Sequence, residues 1–296
     1  MAKEAPIDLT KFCDRYPQKR AFITGVGSGL GLAFALELAK YGWKIGAGDF
    51  NETTLAAAAE QIKQAGGTVE TYKFDVAKYD DFKKAVGIFV EKFGSIDFGI
   101  NNAGIGGGGF VDELPIEDFR RIVDINLMGV VNGCYLFAPL MKSQGFGHIL
   151  NVASAAAIAQ APRMLAYNVS KAGCLAVSET LRGELHDYGV SVSVLMPTYI
   201  RTNIGRDVLG SDEAQVRAEI LVERSEISPQ QAVRETLMKV QNDDLYILLP
   251  EEARSLWRFK RFFPNQFWRT VLKETKRREE KLAKEIEKRL AQKTAR

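Results

Sequence analysis

Three features of this sequence predict a doubly wound α/β fold, a parallel sheet of about seven strands with helices on both faces. Short apolar runs alternate with longer helical patterns over residues 20–250, which is how a sheet covered by crossover helices reads. A glycine-rich turn, Gly25 to Gly31, joins the first strand to the first helix. Polar and small residues recur at the strand ends, where the site of such a sheet lies.

The first strand is expected over residues 20–24, followed by the glycine turn and a helix over 30–41 whose apolar positions recur at helical spacing. A second strand over 44–49 and an alanine-rich helix over 52–65 follow, the helix closed by Gly66 and Gly67. The pattern repeats as strand 68–74, helix 79–93, strand 97–101 and a long helix over 116–143. Strand 148–152, helix 162–188, strand 191–196 and a last strand 245–249 complete it. Right-handed crossovers put the site at the carboxyl ends of these strands. Between Pro197 and Ser228 the alternation lapses into a polar stretch, helical over 213–224. Residues 198–227 suit a substrate loop or lid, or else a plain surface excursion. Ser228 and Pro229 then restart a helix as N-cap and first-turn proline.

Composition narrows the function classes. Of 296 residues, 46% are hydrophobic and 26% charged, so the chain is neither disordered nor short of core. Cys13, Cys134 and Cys174 show no paired spacing, which excludes a disulfide scaffold, and His148 and His186 sit in no metal motif, so no metal site is expected. The N-terminal extension, 1–19, lacks the apolar core of a signal peptide, and no run of about 18 apolar residues suggests a membrane span. A cytoplasmic protein is expected. Charge is uneven: the extension 251–296 holds 15 Lys/Arg against 7 Asp/Glu, leaving a mildly acidic body.

Thr24 opens the pattern T-G-x-x-x-G-x-G, with Gly25, Gly29 and Gly31 as its glycines and Ser28 and Leu30 between them. Glycines allow close approach to a pyrophosphate, and the helix that follows offers its N–H groups and partial positive charge. A bare strand-to-helix connector would look similar. Asp49 ends the second strand 18 positions beyond Gly31, where a carboxylate would bind ribose hydroxyls and repel a 2′-phosphate. No Lys or Arg lies at 26–28 or 50–51, so NAD is favoured over NADP. A helix cap or loop acid is the other reading of Asp49. Asp75 and Val76, and Asn102, Ala103 and Gly104, close the next two strands and suit adenine and backbone contacts, though each alone reads as a turn.

Tyr167 and Lys171 are four apart on one helix face. A nearby ammonium favours the phenolate, so Lys171 is expected to lower the Tyr167 pKa from about 10 towards that of a useful base. Ser154 follows the fifth strand, 13 residues before Tyr167, and could bond the reacting oxygen. Asn126 interrupts an apolar helix and suits either a proton relay or a packing hydrogen bond. Together with Asn101–Gly104 and the Pro197 to Thr202 stretch, these residues make the chain resemble the short-chain dehydrogenase/reductase family over about residues 18–250.

The resemblance implies a single Rossmann-like catalytic domain, 20–250. Tyr167 would be the general acid/base, and Lys171 would bind the nicotinamide ribose and tune the tyrosine. Ser154 would orient the substrate, and Asn126 would hold a water linking Lys171 to solvent. Pro197 and Thr202 would lie by the nicotinamide, Thr202 bonding its carboxamide. The family is usually a homodimer or homotetramer. One departure is Thr198, where the family commonly has glycine; threonine would restrict the backbone and add bulk.

Ala155, Ile158, Gln160, Met164 and Tyr199 are candidate substrate contacts, with Leu165, Val208 and Leu209 beyond them and Arg163 and Arg201 as possible anion clamps. An apolar secondary alcohol or its ketone, steroid-, retinoid- or aryl-like, fits best. The tail interleaves Trp257, Phe259, Phe262, Phe263, Phe267 and Trp268 with cations. That suits a peripheral membrane contact, a fold back onto the domain, or a dimer seam; nucleic acid is a weaker reading. Pro264 should break the helix there, and Leu282, Ile286 and Leu290 form a stripe too thin for a core, hence solvated or facing a partner. The competing function is a catalytically weak dinucleotide-binding protein that acts through this tail.

Overall fold

The computed structural model describes residues 7–205, 208–251 and 253–294, so short pieces of the expected N-terminal extension, substrate loop and tail lie outside the described residues. Seven parallel strands form the main sheet: β1 (Arg20–Thr24), β2 (Lys44–Asp49), β3 (Thr68–Lys73), β4 (Phe98–Asn101), β5 (Gly147–Val152), β6 (Val190–Pro197) and β7 (Tyr246–Leu249). Their spatial order is β3-β2-β1-β4-β5-β6-β7. The order in which the strands succeed one another reverses at the β1–β4 boundary, the crevice where doubly wound sheets bind their ligands. Strands β1, β4 and β5 are buried at every position, as apolar runs covered on both faces must be.

One core layer lies under α2 (Gly29–Ala39), α3 (Glu52–Gln64) and α10 (Pro229–Gln241). The other lies under α4 (Tyr79–Phe93), under a long helix, and under α8 (Leu165–Leu185). The long helix is α5 (Ile116–Val123), a π-helical turn (Asp124–Met128) and α6 (Gly129–Gln144) run end to end. It is long and apolar enough to cross a bilayer, but here it packs on β4 and β5 as a core helix. Single π turns of this kind often mark functional positions, and this one carries Asn126.

The N-terminal segment is part of the domain: α1 (Thr10–Arg15) buries Phe12, which stacks on Trp43 and meets Phe98 edge-on. Helix α8 starts at Leu165, three residues later than expected, because Arg163 sits at φ +65° and ends the preceding loop. In the substrate loop, Val208–Gly210 pairs in parallel with Gly106–Gly108, and α9 (Asp212–Glu223) follows, with Ser211 as its N-cap. Beyond β7 the tail forms α11 (Ala253–Phe262) and α12 (Pro264–Thr294), divided at the proline as expected.

Candidate active site

The glycine turn is built as a cradle. Gly25 and Gly29 take φ values of +72° and +58°, which other residues adopt only with strain. A Cβ on Gly31 would lie 2.1 Å from the Gly25 carbonyl oxygen and 2.6 Å from Asn102 Nδ2, so α2 can approach the turn only without a side chain there. Ser28 is the N-cap of α2 yet makes no capping hydrogen bond through its hydroxyl, leaving the first-turn amides free of that acceptor. Leu30 turns its side chain into the core, so only its backbone borders the turn. This geometry fits a pyrophosphate at the start of α2.

Thr24 and Asn102 fasten the ends of β1 and β4 together. The Thr24 Oγ1 accepts the amides of Asn102 and Ala103 at 3.0 and 3.1 Å, and Asn102 Nδ2 donates to the carbonyls of Thr24 and Gly25. Asp49 accepts the amide of Gly27 at 2.8 Å and that of Asn51 at 2.9 Å. It is not the cap of α3; Asn51 is. A carboxylate has about four acceptor positions, so two such bonds leave room for ribose hydroxyls. The Asp75 carboxylate accepts the Ala77 amide and pairs with Arg121 at 3.0 Å, two contacts that leave acceptor positions open as at Asp49, and Val76 is buried against Gly129.

Tyr167, Ser154 and Lys171 come together. The Ser154 hydroxyl lies beside the Tyr167 phenol and favours its ionised form. Ser154 Oγ donates to the Pro197 carbonyl at 3.4 Å and accepts the Ala156 amide at 3.1 Å. Lys171 Nζ lies 5.7 Å from the Tyr167 ring centroid and donates to the Val152 carbonyl at 2.9 Å. A Cβ on Gly104 would stand 3.0 Å from Asn126 Oδ1 and 3.5 Å from Lys171 Nζ, so the end of β4 closes on the same point.

Two expectations about these groups are corrected. The phenol's net shift is upward: burial pushes Tyr167 up to about 12, and Ser154 beside it opposes this only in part. Lys171 is itself buried, which lowers its own pKa, and it is turned towards Val152. Spacing put both side chains on one face but did not fix where the amine points. Asn126 clamps the main chain of Ile105, accepting its amide at 2.8 Å and donating to its carbonyl at 2.9 Å and to Ser170 Oγ at 3.3 Å. Its carboxamide is therefore occupied by protein, which matches the packing reading more closely than a water relay through the side chain.

Thr198 carries no strain. Its amide extends the β6–β7 pairing by donating to Leu249 at 2.8 Å, and its φ is not positive. Thr202 lies over the cradle, where a Cβ on Gly29 would come within 3.2 Å of it. Pro197 is buried at the end of β6 and accepts the Ala155 amide.

The substrate side is less as expected. Ala155, Met164 and Tyr199 are each half-buried, Ala155 directly after Ser154 and Met164 held by a bridge to Gly109. Tyr199 adds to the field at Tyr167. Ile158 instead points into the core, and the Gln160 carboxamide is held by Lys260 Nζ at 2.8 Å; the same amine bonds the Ile158 carbonyl at 2.6 Å. Arg163 is no substrate clamp. It packs on the Phe110 ring at 4.5 Å and pairs with Glu213 and Glu279, each at 3.0 Å.

The tail thus folds back over the site. Leu282 and Ile286 are buried against Val216 and Ile220 of α9, so the thin stripe meets the chain's own loop and is neither solvated nor waiting for a partner. Ion pairs line both sides of that seam: Arg217–Glu279, Arg224–Glu285, Arg289–Glu223 and Lys293–Asp212. Burial raises the pKa of Tyr199, and the Arg278 guanidinium near it opposes that. Neither Lys260 nor Glu279 was among the expected site residues. The acids Glu279, Glu280, Glu285 and Glu287, gathered in the distal part of a basic tail, were the available signal for Glu279.

A family model for short chain dehydrogenases matches residues 19–212. The probable oxidoreductase EphD of Mycobacterium tuberculosis is 38% identical over 203 residues, which is 66% of this chain and 34% of that one, so the chain spans about a third of EphD's length. Cyclohexanol dehydrogenase of an Acinetobacter species is 33% identical over 190 residues, 64% of this chain and 76% of its own. The crystal structure of a short-chain dehydrogenase/reductase from Burkholderia phymatum in complex with NAD superimposes with a TM-score of 0.79 at 30% identity, covering 82% of this chain and 92% of that one. With its strand order, glycine cradle and Ser–Tyr–Lys cluster, the chain belongs to the short-chain dehydrogenase family of oxidoreductases, which use a nicotinamide dinucleotide.

Proposed function

We propose that this protein is an NAD(H)-dependent dehydrogenase that interconverts a lipophilic secondary alcohol and its ketone. The observation that carries the reading is the grouping of Ser154 and Lys171 about Tyr167, beside the glycine cradle. A bound nicotinamide supplies the hydride chemistry; the protein supplies position and charge. Gly25, Ser28, Gly29, Leu30 and Gly31 would hold the pyrophosphate through backbone groups and the Ser28 hydroxyl. Asp49 would hold the adenosine ribose and disfavour a 2′-phosphate, hence NAD over NADP. Lys171 would hold the nicotinamide ribose, and Thr202 its carboxamide.

In oxidation, Ser154 bonds the substrate hydroxyl oxygen and Tyr167 accepts its proton; in reduction Tyr167 returns that proton to the carbonyl oxygen. Because the Asn126 side chain is held by Ile105, any water serving Lys171 is bound by main-chain atoms of the π turn. Apolar Ala155 and Met164 favour a lipophilic substrate, and the similarity to cyclohexanol dehydrogenase is in keeping with that. Appearance of reduced nicotinamide with a panel of secondary alcohols tests the proposal. Tyr167→Phe should abolish turnover and leave NAD affinity unchanged. Turnover retained by that variant would remove Tyr167 from the mechanism. Dinucleotide binding without turnover on any alcohol or ketone would favour the alternative, a binding protein working through its tail.

A further inference from the structure

The tail is electrically two different segments. Residues 279–294 hold five cations and four acids, and this half makes the ion pairs with α9 and loop arginines described above. Residues 253–278 hold nine cations and a single acid, Glu274. Arg258, Arg269, Lys273 and Lys276 have no carboxylate partner among the described residues. If cations served only to latch the tail to the domain, they would be concentrated where the acids of α9 are, in the distal half. They are concentrated in the other half.

That same half exposes apolar rings. Phe262 is 71% exposed, Phe263 54%, Trp268 37% and Leu272 56%. Phe262 and Phe263 form the elbow where α11 gives way to α12, and Trp268 and Leu272 follow at one-turn spacing on α12. The intervening Phe267 is fully buried, and Phe259 packs on it at 6.0 Å, so the elbow is seated on the domain from its inner side. Lys260, bonded to Ile158 and Gln160, pins it beside the loop that follows the catalytic serine.

We propose that the α11–α12 elbow docks on an anionic lipid surface. The outward rings insert among the headgroups and the unpaired cations meet lipid phosphates and carboxylates. One-signed charge interleaved with exposed aromatic rings has the complementarity such a surface demands. A second copy of this chain would instead have to bring an acidic apolar face onto the elbow, and would do so in solution without lipid. The position of the elbow sets the substrate mouth against the bilayer, so a membrane-dissolved alcohol reaches Tyr167 without crossing bulk water. Only this consequence rests on the lipophilic-substrate reading; the docking does not.

The test is co-sedimentation of the full-length protein, without substrate or cofactor, with phosphatidylcholine vesicles and with vesicles that also contain phosphatidylserine. Binding is expected only to the mixed vesicles and should weaken as salt rises. Phe262→Ser/Phe263→Ser and Arg269→Gln/Lys273→Gln should each weaken it about ten-fold or more, with the melting temperature and NAD affinity kept as evidence of folding. No binding to either vesicle, equal binding to both, or unchanged binding by folded variants would overturn the proposal. So would a dimer that Phe262→Ser/Phe263→Ser dissociates while vesicles are ignored, which would assign the face to a second copy. Vesicle binding and turnover are separate readouts, so either can fail alone.

Discussion

Tyr167 cannot act as a base at neutral pH as burial leaves it. With the phenol held at about 12, roughly one molecule in ten thousand carries phenolate at pH 8, and a base poised near 8 requires a fall of about 4 units, or ~5 kcal/mol. Lys171 Nζ is 5.7 Å from the ring centroid. At an effective dielectric constant of about 20, a unit charge at that distance is worth ~3 kcal/mol, or about 2 units. The amine supplies about half of what is needed, and the rest falls to the positive charge of an oxidised nicotinamide. Lys171→Met should therefore move the rising limb of the pH profile of kcat/KM for the alcohol. The base works deprotonated, so a raised pKa moves that limb to higher pH, by about 2 units, and lowers the rate at neutral pH about a hundred-fold. The profile should be measured at saturating NAD, so that weaker cofactor binding is not mistaken for a change in the base. If the variant raises only KM for NAD and the limb stays in place, Lys171 is a ribose ligand and the electrostatic argument fails.

Three other outcomes follow from the same geometry. His148 is fully buried with Nε2 bonded to Ser193 and its pKa pushed down to about 3 from 6.5; the fold keeps it neutral, so stability is complete above 6.5 and is lost as pH falls towards 3. Urea midpoints should show this acid loss, on the order of 4 kcal/mol, and His148→Gln should flatten it; an unchanged acid slope would mean other groups dominate. Gly31→Ala drives a methyl into the Gly25 carbonyl and should cost about 1–3 kcal/mol in thermal unfolding and at least ten-fold in NAD affinity; near-wild-type affinity by calorimetry would show that the cradle can yield. Asp49→Asn should cut the ratio of NAD to NADP efficiency about ten-fold by removing the repulsion of a 2′-phosphate, and an unaltered ratio in paired kinetics would take cofactor choice away from Asp49.

How far the sequence could be read depended on whether a residue's task is local. Gly25, Gly29 and Gly31 serve a turn and a helix start only a few residues long, so spacing alone identified them. The grouping of Ser154, Tyr167 and Lys171 was legible for a similar reason: Tyr167 and Lys171 share a helix, and Ser154 follows the strand just before it. What failed was distant in sequence. The stripe Leu282–Ile286–Leu290 was too narrow for a core, yet α9 presents an equally narrow strip, Val216 and Ile220, and the two together bury their apolar side chains. Neither half reveals its partner. Gln160 and Ile158 looked like substrate contacts because they follow the serine, but Lys260, about 100 residues on, ties that loop down. The Tyr167 pKa went astray for a physical reason as well. Helical spacing gives the direction of a neighbour but not the burial that outweighs it.

The contacts that hold the chemistry and those that control access come from different parts of the chain. Ser154 is tethered to Pro197 at the end of β6, Lys171 to Val152 at the end of β5, and Asn102 to Thr24 at the end of β1. Each tether ends on backbone of a strand whose neighbours are buried on both faces, so none of these side chains can shift without moving the sheet. Among the described residues the tail reaches the surroundings of the site through residues 158–163, Tyr199 and α9. Loops joined by partly exposed ion pairs open at lower free energy than core strands. The tail is therefore expected to open at lower free energy than the strands that carry Ser154 and Lys171, whose side chains stay in place when it moves.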